Sequence, residues 1–148
     1  MADPTPDDGA DVAPALFAQL AADPLAGLLG IVLEQVRPGY ARAVMTVGPR
    51  LLNAAGMAHG GATMALLDVV HAAVSNSHGT VAVAQDVHTE FLAPGRPGDR
   101  LVAEGTEVHR SRRTAVYRIE ARAQDGRLVA TALARVFRTE HEWQGEPA

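Results

Sequence analysis

The stretch that decides the fold runs from Asn53 to Ser77 and reads NAAGMAHGGATMALLDVVHAAVSNS. From Gly61 to about Ser77 it predicts one long helix that is apolar on most of its sides. A helix of this kind is normally buried rather than laid on a surface. At 1.5 Å per residue it would be about 25 Å long. We therefore expect a single long helix inside the protein.

Strands precede and follow this helix. Residues 40–47 alternate, with Ala41, Ala43, Met45 and Val47 on one face, which is typical of a strand lying on a core. After the helix come further strands separated by turns, and Asp125-Gly126 is a strong hairpin signal. Consecutive hairpins imply an antiparallel sheet, so the order predicts an α+β protein with the helix packed on one sheet face. The later strands are predicted at 81–91, 100–109, 114–123 and 128–138.

The two ends of the chain are predicted to differ from its middle. Residues 1–13 are rich in proline and aspartate and are expected to be disordered. Residues 14–22 read as a short amphipathic helix that Asp23-Pro24 ends, and apolar residues at 28–36 then predict a strand. The polar tail at 139–148 is expected to be loose. We therefore predict one domain spanning 14–138.

Composition removes whole classes of chemistry. The 148 residues contain no cysteine, which excludes disulfides, thiolate metal sites and a cysteine nucleophile, and all 13 basic residues are arginine, which excludes Schiff-base chemistry. The net charge of −4 is the opposite of what a nucleic-acid partner usually requires. The apolar stretch at 15–33 is interrupted by Gln19, Asp23 and Pro24, too soon for a membrane span. We expect a cytoplasmic protein without nucleic-acid or membrane partners.

Two adjacent glycines mark the start of the long helix. Gly60 and Gly61 permit close backbone approach, and the free N–H groups of a first helical turn, backed by the helix dipole, stabilise a developing oxyanion. The alternative interpretation of these glycines is a tight loop with a helix cap. Both interpretations stay open on the residues alone.

Asp68 is the second candidate, because it lies in the middle of an apolar helix. A carboxylate there has a desolvation cost unless it is paired or hydrogen-bonded, and such local inconsistencies tend to mark function. Asp68 is therefore either a general base or nucleophile, or a structural aspartate. His59 is either a donor to a substrate or a group that fixes the loop. Asn53 either orients water or a carbonyl, or forms a turn.

Taken together, these residues resemble a known family. The pattern Asn-x-x-Gly-x-x-His-Gly-Gly, with an acidic residue seven positions after the second glycine, is similar to the hotdog-fold acyl-CoA thioesterases of the phenylacetic-acid-degradation branch. Phe91-Leu92-Ala93-Pro94-Gly95, with Gly98-Asp99 after it, also matches that family's strand-to-turn pattern. The resemblance covers the chain from about Leu28 to Arg138.

The resemblance implies a fold, an activity and an assembly. The fold is a curved antiparallel sheet of about six strands wrapped around one long central helix. The activity is hydrolysis of an aromatic or medium-chain acyl-CoA to the free acid and coenzyme A, without a metal or other cofactor. The assembly is a homo-oligomer with a dimer as its minimal unit, expected as a tetramer, whose active sites are built across the interface.

The resemblance also implies roles for individual residues. Asp68 is implied as the nucleophile or general base, acting on a site whose loop comes from the other subunit. The Gly60 amide polarises the thioester carbonyl, while Asn53 and His59 orient substrate or water. Several relatives have a serine or threonine one helical turn after the acid, but here that position is Ala72. The water-holding hydroxyl is therefore absent or replaced, and the candidates for replacing it are His71 and Ser75.

Further residues are predicted to bind substrate. Coenzyme A carries phosphates, for which arginine is a suitable partner, and a cluster of arginines lies at one strand turn. A solvated turn is the alternative interpretation of that cluster. The predicted substrate-binding residues are Gly61, His71, Ser75, Phe91, Arg110, Arg112 and Arg113.

Several alternatives remain beside the thioesterase interpretation. A non-catalytic acyl-CoA-binding or sensing protein would use the same fold, and so would an enoyl-CoA hydratase or dehydratase. Asp68, His71 and Ser75 share one helix face and imitate a catalytic triad, but serine hydrolases present their serine on a strained turn. Asp86, His88 and Glu90 share one strand face and could hold a metal. Polar alternation on an outward face explains them more simply, and we predict no metal site.

Overall fold

The computed structural model describes residues 9–144 as three α-helices, a short 3-10 helix and six strands. The predicted long helix is present and spans Gly60–Ser75, so it begins one residue before the predicted start and ends two residues before the predicted end. The elements are α1 (Pro14–Ala21), α2 (Pro24–Leu29), β1 (Val32–Arg37), β2 (Tyr40–Thr46), the 3-10 helix (Pro49–Leu51), α3 (Gly60–Ser75), β3 (Thr80–Phe91), β4 (Arg100–Arg110), β5 (Thr114–Arg122) and β6 (Leu128–Glu142).

The six strands form one sheet with the order β1-β2-β4-β5-β6-β3, and every neighbouring pair is antiparallel. Helix α3 packs against this sheet and contacts all six strands. The core between the two layers contains Leu66, Leu67, Val70 and Val74 from the helix, none of which is exposed. The α+β prediction of an antiparallel sheet with a long helix packed on it is confirmed.

A glycine in the middle of the sheet lets α3 lie close to β4. A Cβ atom added to Gly105 would lie 2.8 Å from Val70 Cγ1 and 3.3 Å from side-chain atoms of Ile119 and Val74. Real Cβ atoms do not approach other atoms to 2.8 Å. The distance between α3 and the sheet therefore depends on the missing side chain at this position.

The predicted strand at 28–36 is wrong at its start, because residues Pro24–Leu29 form helix α2. Asp23 and Pro24 do follow the end of α1, but they also begin the next helix. The Asp23 side chain accepts a hydrogen bond from the Ala26 amide at 3.0 Å, and Pro24 occupies the first turn, where its missing N–H costs nothing. Strand β1 then begins only at Val32.

A β-bulge interrupts β3, so the predicted strand at 81–91 does not keep one face toward the core along its whole length. Its register against β6 shifts between Ala84 and Asp86, which leaves Gln85 as the extra residue. Before the bulge the even-numbered Ala82 is buried while Val83 is 50% exposed; beyond it the odd-numbered Val87 packs against the core. The inward face thus changes parity within the strand.

Both ends of the described chain are tied to the domain. The Val12 amide donates to the Val36 carbonyl at 3.0 Å, so part of the segment predicted to be disordered contacts β1. At the other end β6 continues to Glu142, and the Trp143 amide donates to the Gly79 carbonyl at 2.8 Å, so the start of the predicted loose tail belongs to the sheet. The rest of these two predictions falls on residues 1–8 and 145–148, outside the described residues.

The C-terminal end of α3 is fixed by the buried amide of Asn76. Its Oδ1 accepts from the Ala82 amide at 2.9 Å and from Trp143 Nε1 at 2.8 Å. Its Nδ2 donates to the Ala72 carbonyl at 2.8 Å. One side chain therefore joins the helix, β3 and the C-terminal strand. Of the helices in residues 9–144, none is both long and apolar enough to cross a membrane.

Candidate active site

The first turn of α3 leaves one amide free. His59 is the N-cap residue, and its Nδ1 accepts from the Gly61 amide at 2.9 Å. Its carbonyl accepts from the amides of Ala62 at 2.9 Å and Thr63 at 3.2 Å. The Gly60 amide has no acceptor within residues 9–144. Of the two glycine amides expected to face a ligand, only that of Gly60 is available, because His59 caps the other.

The capping bond also fixes which nitrogen of His59 carries its proton. Nδ1 can accept a hydrogen bond only when it is unprotonated, so in the neutral ring the proton lies on Nε2. The residue is exposed. His59 therefore fixes the loop through Nδ1, and an N–H donor is left at Nε2.

Asn53 shapes the loop before α3 in a similar way. Its Oδ1 accepts from the amides of Ala55 at 2.9 Å and Met57 at 3.2 Å, and its own amide donates to the Met57 carbonyl at 2.7 Å. This is the turn-forming role that was the alternative interpretation. The Nδ2 group of Asn53 has no acceptor in the described part of the chain, so it too remains a free donor.

The free Gly60 amide belongs to a residue that lines an open cavity of about 300 Å³. The Phe91 ring forms one wall, because a Cβ atom added to Gly60 would lie 3.5 Å from Phe91 Cζ. The loop is held against the opposite wall by a hydrogen bond of 2.9 Å from the Ala58 amide to the Gly95 carbonyl. The cavity is lined by Asn53, Met57, Ala58, Gly60, Thr63, Phe91, Leu92, Ala93, Pro94, Gly95 and Val129.

Asp99 holds the turn that follows Pro94 and Gly95, two of the residues that line this cavity. The Asp99 carboxylate accepts from the Arg96 amide at 2.8 Å and from Gln124 Nε2 at 3.1 Å, and it pairs with Arg127. Burial alone would raise the pKa of Asp99, but the hydrogen bonds from Arg96 and Gln124 and the charge of Arg127 outweigh it and lower the pKa below its ordinary value. The carboxylate therefore stays charged and keeps this turn in place.

Asp68 lies on the one strip of α3 that the sheet does not cover. The strip also includes Gly61 and Ala72, which follow one another at helical spacing. The Asp68 side chain is 60% exposed, so the acid predicted to be buried is open to solvent in the single chain. Gly60 and Asp68 are eight residues apart, which is about 12 Å along a helix axis. Within one chain they do not reach the same carbonyl group.

Residues 55–130 match the family model of the thioesterase superfamily. The chain belongs to this superfamily. It is 38% identical over 108 residues to the acyl-coenzyme A thioesterase PaaI of Escherichia coli K12, and the matched region covers 73% of this chain and 77% of that protein.

Solved structures agree with this assignment. The E. coli PaaI protein from the phenylacetic acid degradation operon superposes with a TM-score of 0.82 at 34% identity, over 85% of this chain and 91% of that one. A hypothetical thioesterase protein of Streptococcus pneumoniae TIGR4 solved with coenzyme A gives a TM-score of 0.73 at 30% identity, over 76% of this chain and 88% of that one. The chain is therefore a hotdog-fold thioester hydrolase of the acyl-CoA thioesterase type, and its predicted relation to the phenylacetic-acid-degradation branch is confirmed.

Two residues predicted to bind substrate, His71 and Ser75, are buried. His71 is 1% exposed and Ser75 is 4% exposed. Ser75 Oγ donates to the Ala72 carbonyl of its own helix at 3.2 Å. His71 packs beneath Asp68, with its Nδ1 3.7 Å from Asp68 Oδ1. Neither side chain reaches the surface of the single chain, because both project from the side of α3 that faces the sheet.

A buried tyrosine lies under His71. The rings of His71 and Tyr117 have centroids 5.9 Å apart, and Tyr117 Oη donates to Glu107 Oε2 at 3.4 Å. Glu107 Oε2 is also 2.8 Å from His78 Nε2. Burial raises the pKa of Tyr117 well above its ordinary value, and the charge of Glu107 raises it further, so the phenol stays neutral.

The predicted arginine cluster lies around a second open cavity, of ≈ 310 Å³. Arg112 and Arg113 line it, and Arg112 Nη2 is 3.2 Å from Glu140. Arg110 points elsewhere, with its Nε 3.6 Å from Glu107. Arg138, which no pattern in the sequence indicated, also lines the cavity, and its Nη1 donates to the Ser111 carbonyl at 2.7 Å. Only the pairing of β6 with the β4–β5 turn, not sequence spacing, brings it there.

Two of the three β3 residues considered as metal ligands, His88 and Glu90, lie against each other. His88 Nε2 lies 2.9 Å from Glu90 Oε1, and both side chains are exposed. Across residues 9–144 there is no group of three or more histidine, aspartate or glutamate side chains arranged to hold a metal ion.

Proposed function

We propose that this thioesterase hydrolyses aromatic or medium-chain acyl-CoA at the N-terminus of α3. The observation that carries the proposal is the free Gly60 amide beside a largely apolar cavity. An amide at a helix N-terminus stabilises negative charge that develops on a carbonyl oxygen. Asn53 lines the same cavity and has a free donor, and His59, the residue before Gly60, has another. The thioester oxygen would bind at Gly60, with the acyl group against Phe91 and Leu92.

The second half of the site comes from another copy of the chain. The Gly60 amide and the Asp68 carboxylate are about 12 Å apart along one helix, too far for a single carbonyl group. Asp68 is exposed on the strip of α3 that no other part of residues 9–144 covers. A partner chain that covers this strip would bring its own Gly60 loop to Asp68. We therefore include in the proposal a dimer as the minimal unit, assembled into a tetramer.

The proposed reaction has two possible routes through Asp68. As a general base, the carboxylate takes a proton from water, the oxygen of that water bonds to the thioester carbon, and the C–S bond breaks to release the coenzyme A thiolate. As a nucleophile, the carboxylate itself bonds to that carbon and expels the thiolate, and water then hydrolyses the mixed anhydride. In both routes the thiolate takes up a proton, and the Gly60 amide stabilises the oxyanion. Neither route calls for a cofactor.

Coenzyme A would extend from this site toward basic residues. Its phosphates are bound well by arginine, which presents several donors in one plane. We assign this role to Arg112 and Arg113, which line the second cavity from the turn between β4 and β5, and Arg110 is the last residue of β4 before that turn. The relative from S. pneumoniae was solved with coenzyme A, which supports a coenzyme A thioester as the substrate class.

An acyl-CoA panel tests this function. Purified protein is given phenylacetyl-, benzoyl-, acetyl-, octanoyl- and palmitoyl-CoA, and thiol release is followed with a colorimetric reagent. We expect the highest kcat/KM with the aromatic or octanoyl substrates. Asp68→Ala is expected to lower kcat by about 10²-fold or more. Binding of coenzyme A by calorimetry without hydrolysis of any substrate would overturn the proposal, as would an Asp68→Ala variant with wild-type kcat.

Label found in Asp68 after single-turnover hydrolysis in H₂¹⁸O would identify the nucleophilic route. With enzyme in excess, the nucleophilic route leaves label in the Asp68 carboxyl group when water attacks that side of the anhydride. The general-base route places label only in the product acid. Mass spectrometry of the peptide containing Asp68 reads the difference.

A further inference from the structure

The most deeply buried polar side chain of α3 lies next to its exposed acid. His71 is 1% exposed, whereas the Asp68 side chain one helical turn earlier is 60% exposed. We infer that His71 is a positioning residue: its Nδ1–H holds one oxygen of Asp68, so that the other oxygen faces the thioester. This inference rests on the role proposed for Asp68, and His71 itself touches neither substrate nor water.

The distance between the two groups fits a contact that closes in the working site. His71 Nδ1 and Asp68 Oδ1 are 3.7 Å apart, beyond the roughly 2.7–3.2 Å of a hydrogen bond. The histidine ring is enclosed, so the exposed carboxylate is the partner that moves. A rotation that brings its oxygen closer by about 0.8 Å completes the bond. Catalytic hydrogen bonds are often longer in a ligand-free protein and tighten when substrate is present.

The surroundings of the ring decide which nitrogen carries the proton. His71 Nε2 is buried and has no hydrogen-bond partner among residues 9–144. A proton there would be a buried donor without an acceptor, which is costly. A proton on Nδ1 faces a carboxylate instead. The neutral ring therefore carries its hydrogen on the nitrogen nearest Asp68.

The ring cannot turn away to make another bond. Tyr117 packs against it at 5.9 Å between centroids with the planes tilted by 55°, and the Tyr117 hydroxyl is already bonded to Glu107. The next residue on the exposed strip, Ala72, offers no hydroxyl that could hold the acid or a water. His71 is thus the fixed donor that holds the mobile Asp68 carboxylate in one orientation. A carboxylate already oriented for reaction lowers the barrier.

Two substitutions at position 71 separate positioning from packing. His71→Phe fills nearly the same volume against Tyr117 but has no donor. His71→Asn leaves a void, yet its side-chain N–H₂ occupies the place of Nδ1. We expect His71→Phe to lower kcat by about 10- to 100-fold with KM changed less than threefold. We expect His71→Asn to keep kcat within about threefold of wild type, although its melting temperature falls further.

A purely structural role predicts the reverse order, with the less stable His71→Asn the less active variant, and that result would overturn the inference. Combination with Asp68→Ala gives a second readout, because His71→Phe should not lower the residual activity of that variant any further. An independent additional loss would likewise refute it. If Asp68→Ala itself keeps wild-type kcat, the proposed function fails. If Asp68→Ala is impaired while His71→Phe is not, only the present inference fails.

Discussion

Replacing Gly60 by proline would remove the hydrogen of a single amide and leave the fold of the loop unchanged. Gly60 is the first residue of α3, a position where proline is favoured because that amide makes no bond within the helix. The preceding residue, His59, already has the extended conformation that proline requires of its neighbour, with φ −63° and ψ 133°. The new Cβ would lie 3.5 Å from the Phe91 ring, an ordinary van der Waals distance.

The matched control is Gly60→Ala, which adds the same Cβ and keeps the N–H group. Both variants should be as stable as wild type or more stable by about 0.4–1 kcal/mol, because each restricts the unfolded chain. Their activities should differ. Loss of one oxyanion donor costs about 10²–10³ in kcat, or roughly 2.7–4 kcal/mol, and the proline ring also occupies the place of the lost hydrogen.

The assay is thiol release from the best substrate of the panel, together with thermal unfolding of all three proteins. We expect Gly60→Ala to keep kcat within about fivefold of wild type and Gly60→Pro to lose at least 10²-fold at an unchanged melting temperature. High activity of both variants would refute the assignment, and low activity of both would contradict the expectation for Gly60→Ala. Both high would mean that the amide is not used, and both low would mean that the Cβ blocks the cavity.

Three further predictions concern the loop, the core and the turn that Asp99 holds. Asn53→Asp keeps the oxygen that holds the loop but loses the free donor, so kcat should fall by about tenfold or more at an unchanged melting temperature. Asn53→Ala should also lower the free energy of unfolding by about 1 kcal/mol, and steady-state kinetics and thermal unfolding of both variants check this. Gly105→Ala should destabilise by about 1–3 kcal/mol through its clash with Val70, and chemical denaturation should show that adding Val70→Ala costs less than the two separate effects combined. The lowered pKa of Asp99 stabilises the fold at pH values above the ordinary 3.8, and this contribution disappears as the pH falls through the folded-state pKa. Wild type and Asp99→Asn should therefore differ in free energy of unfolding at pH 7 and converge as the pH falls below that pKa.

The parts of this fold that the sequence predicts are those with a strong local signal. Helix α3 has many apolar residues and begins at two glycines, and the strands that follow it alternate and end in turns. Helix α2 was missed because Asp23 and Pro24 were read only as the end of one helix, although Asp-Pro also begins one. The bulge at Gln85 was missed because a shift in pairing has no signature in a strand's own residues.

In the candidate site, too, some features were predictable from the sequence and others were not. The glycine pair, Asn53 and His59 stand out because they occupy one short loop. What those groups are bonded to was not predictable, because it depends on how that loop closes: His59 takes the Gly61 amide and leaves only the Gly60 amide free. The exposure of Asp68 was also hidden, since a helix that is apolar on most sides does not reveal which narrow strip the sheet leaves uncovered.

The contact between Trp143 and Asn76 has a practical consequence. The chain contains a single tryptophan, and its indole N–H is bonded to the amide that ends α3. Its fluorescence therefore reports on one place in the molecule, where the last strand meets the end of the helix. An emission shift that preceded global melting would reveal release of the C-terminal segment, without any label having been introduced.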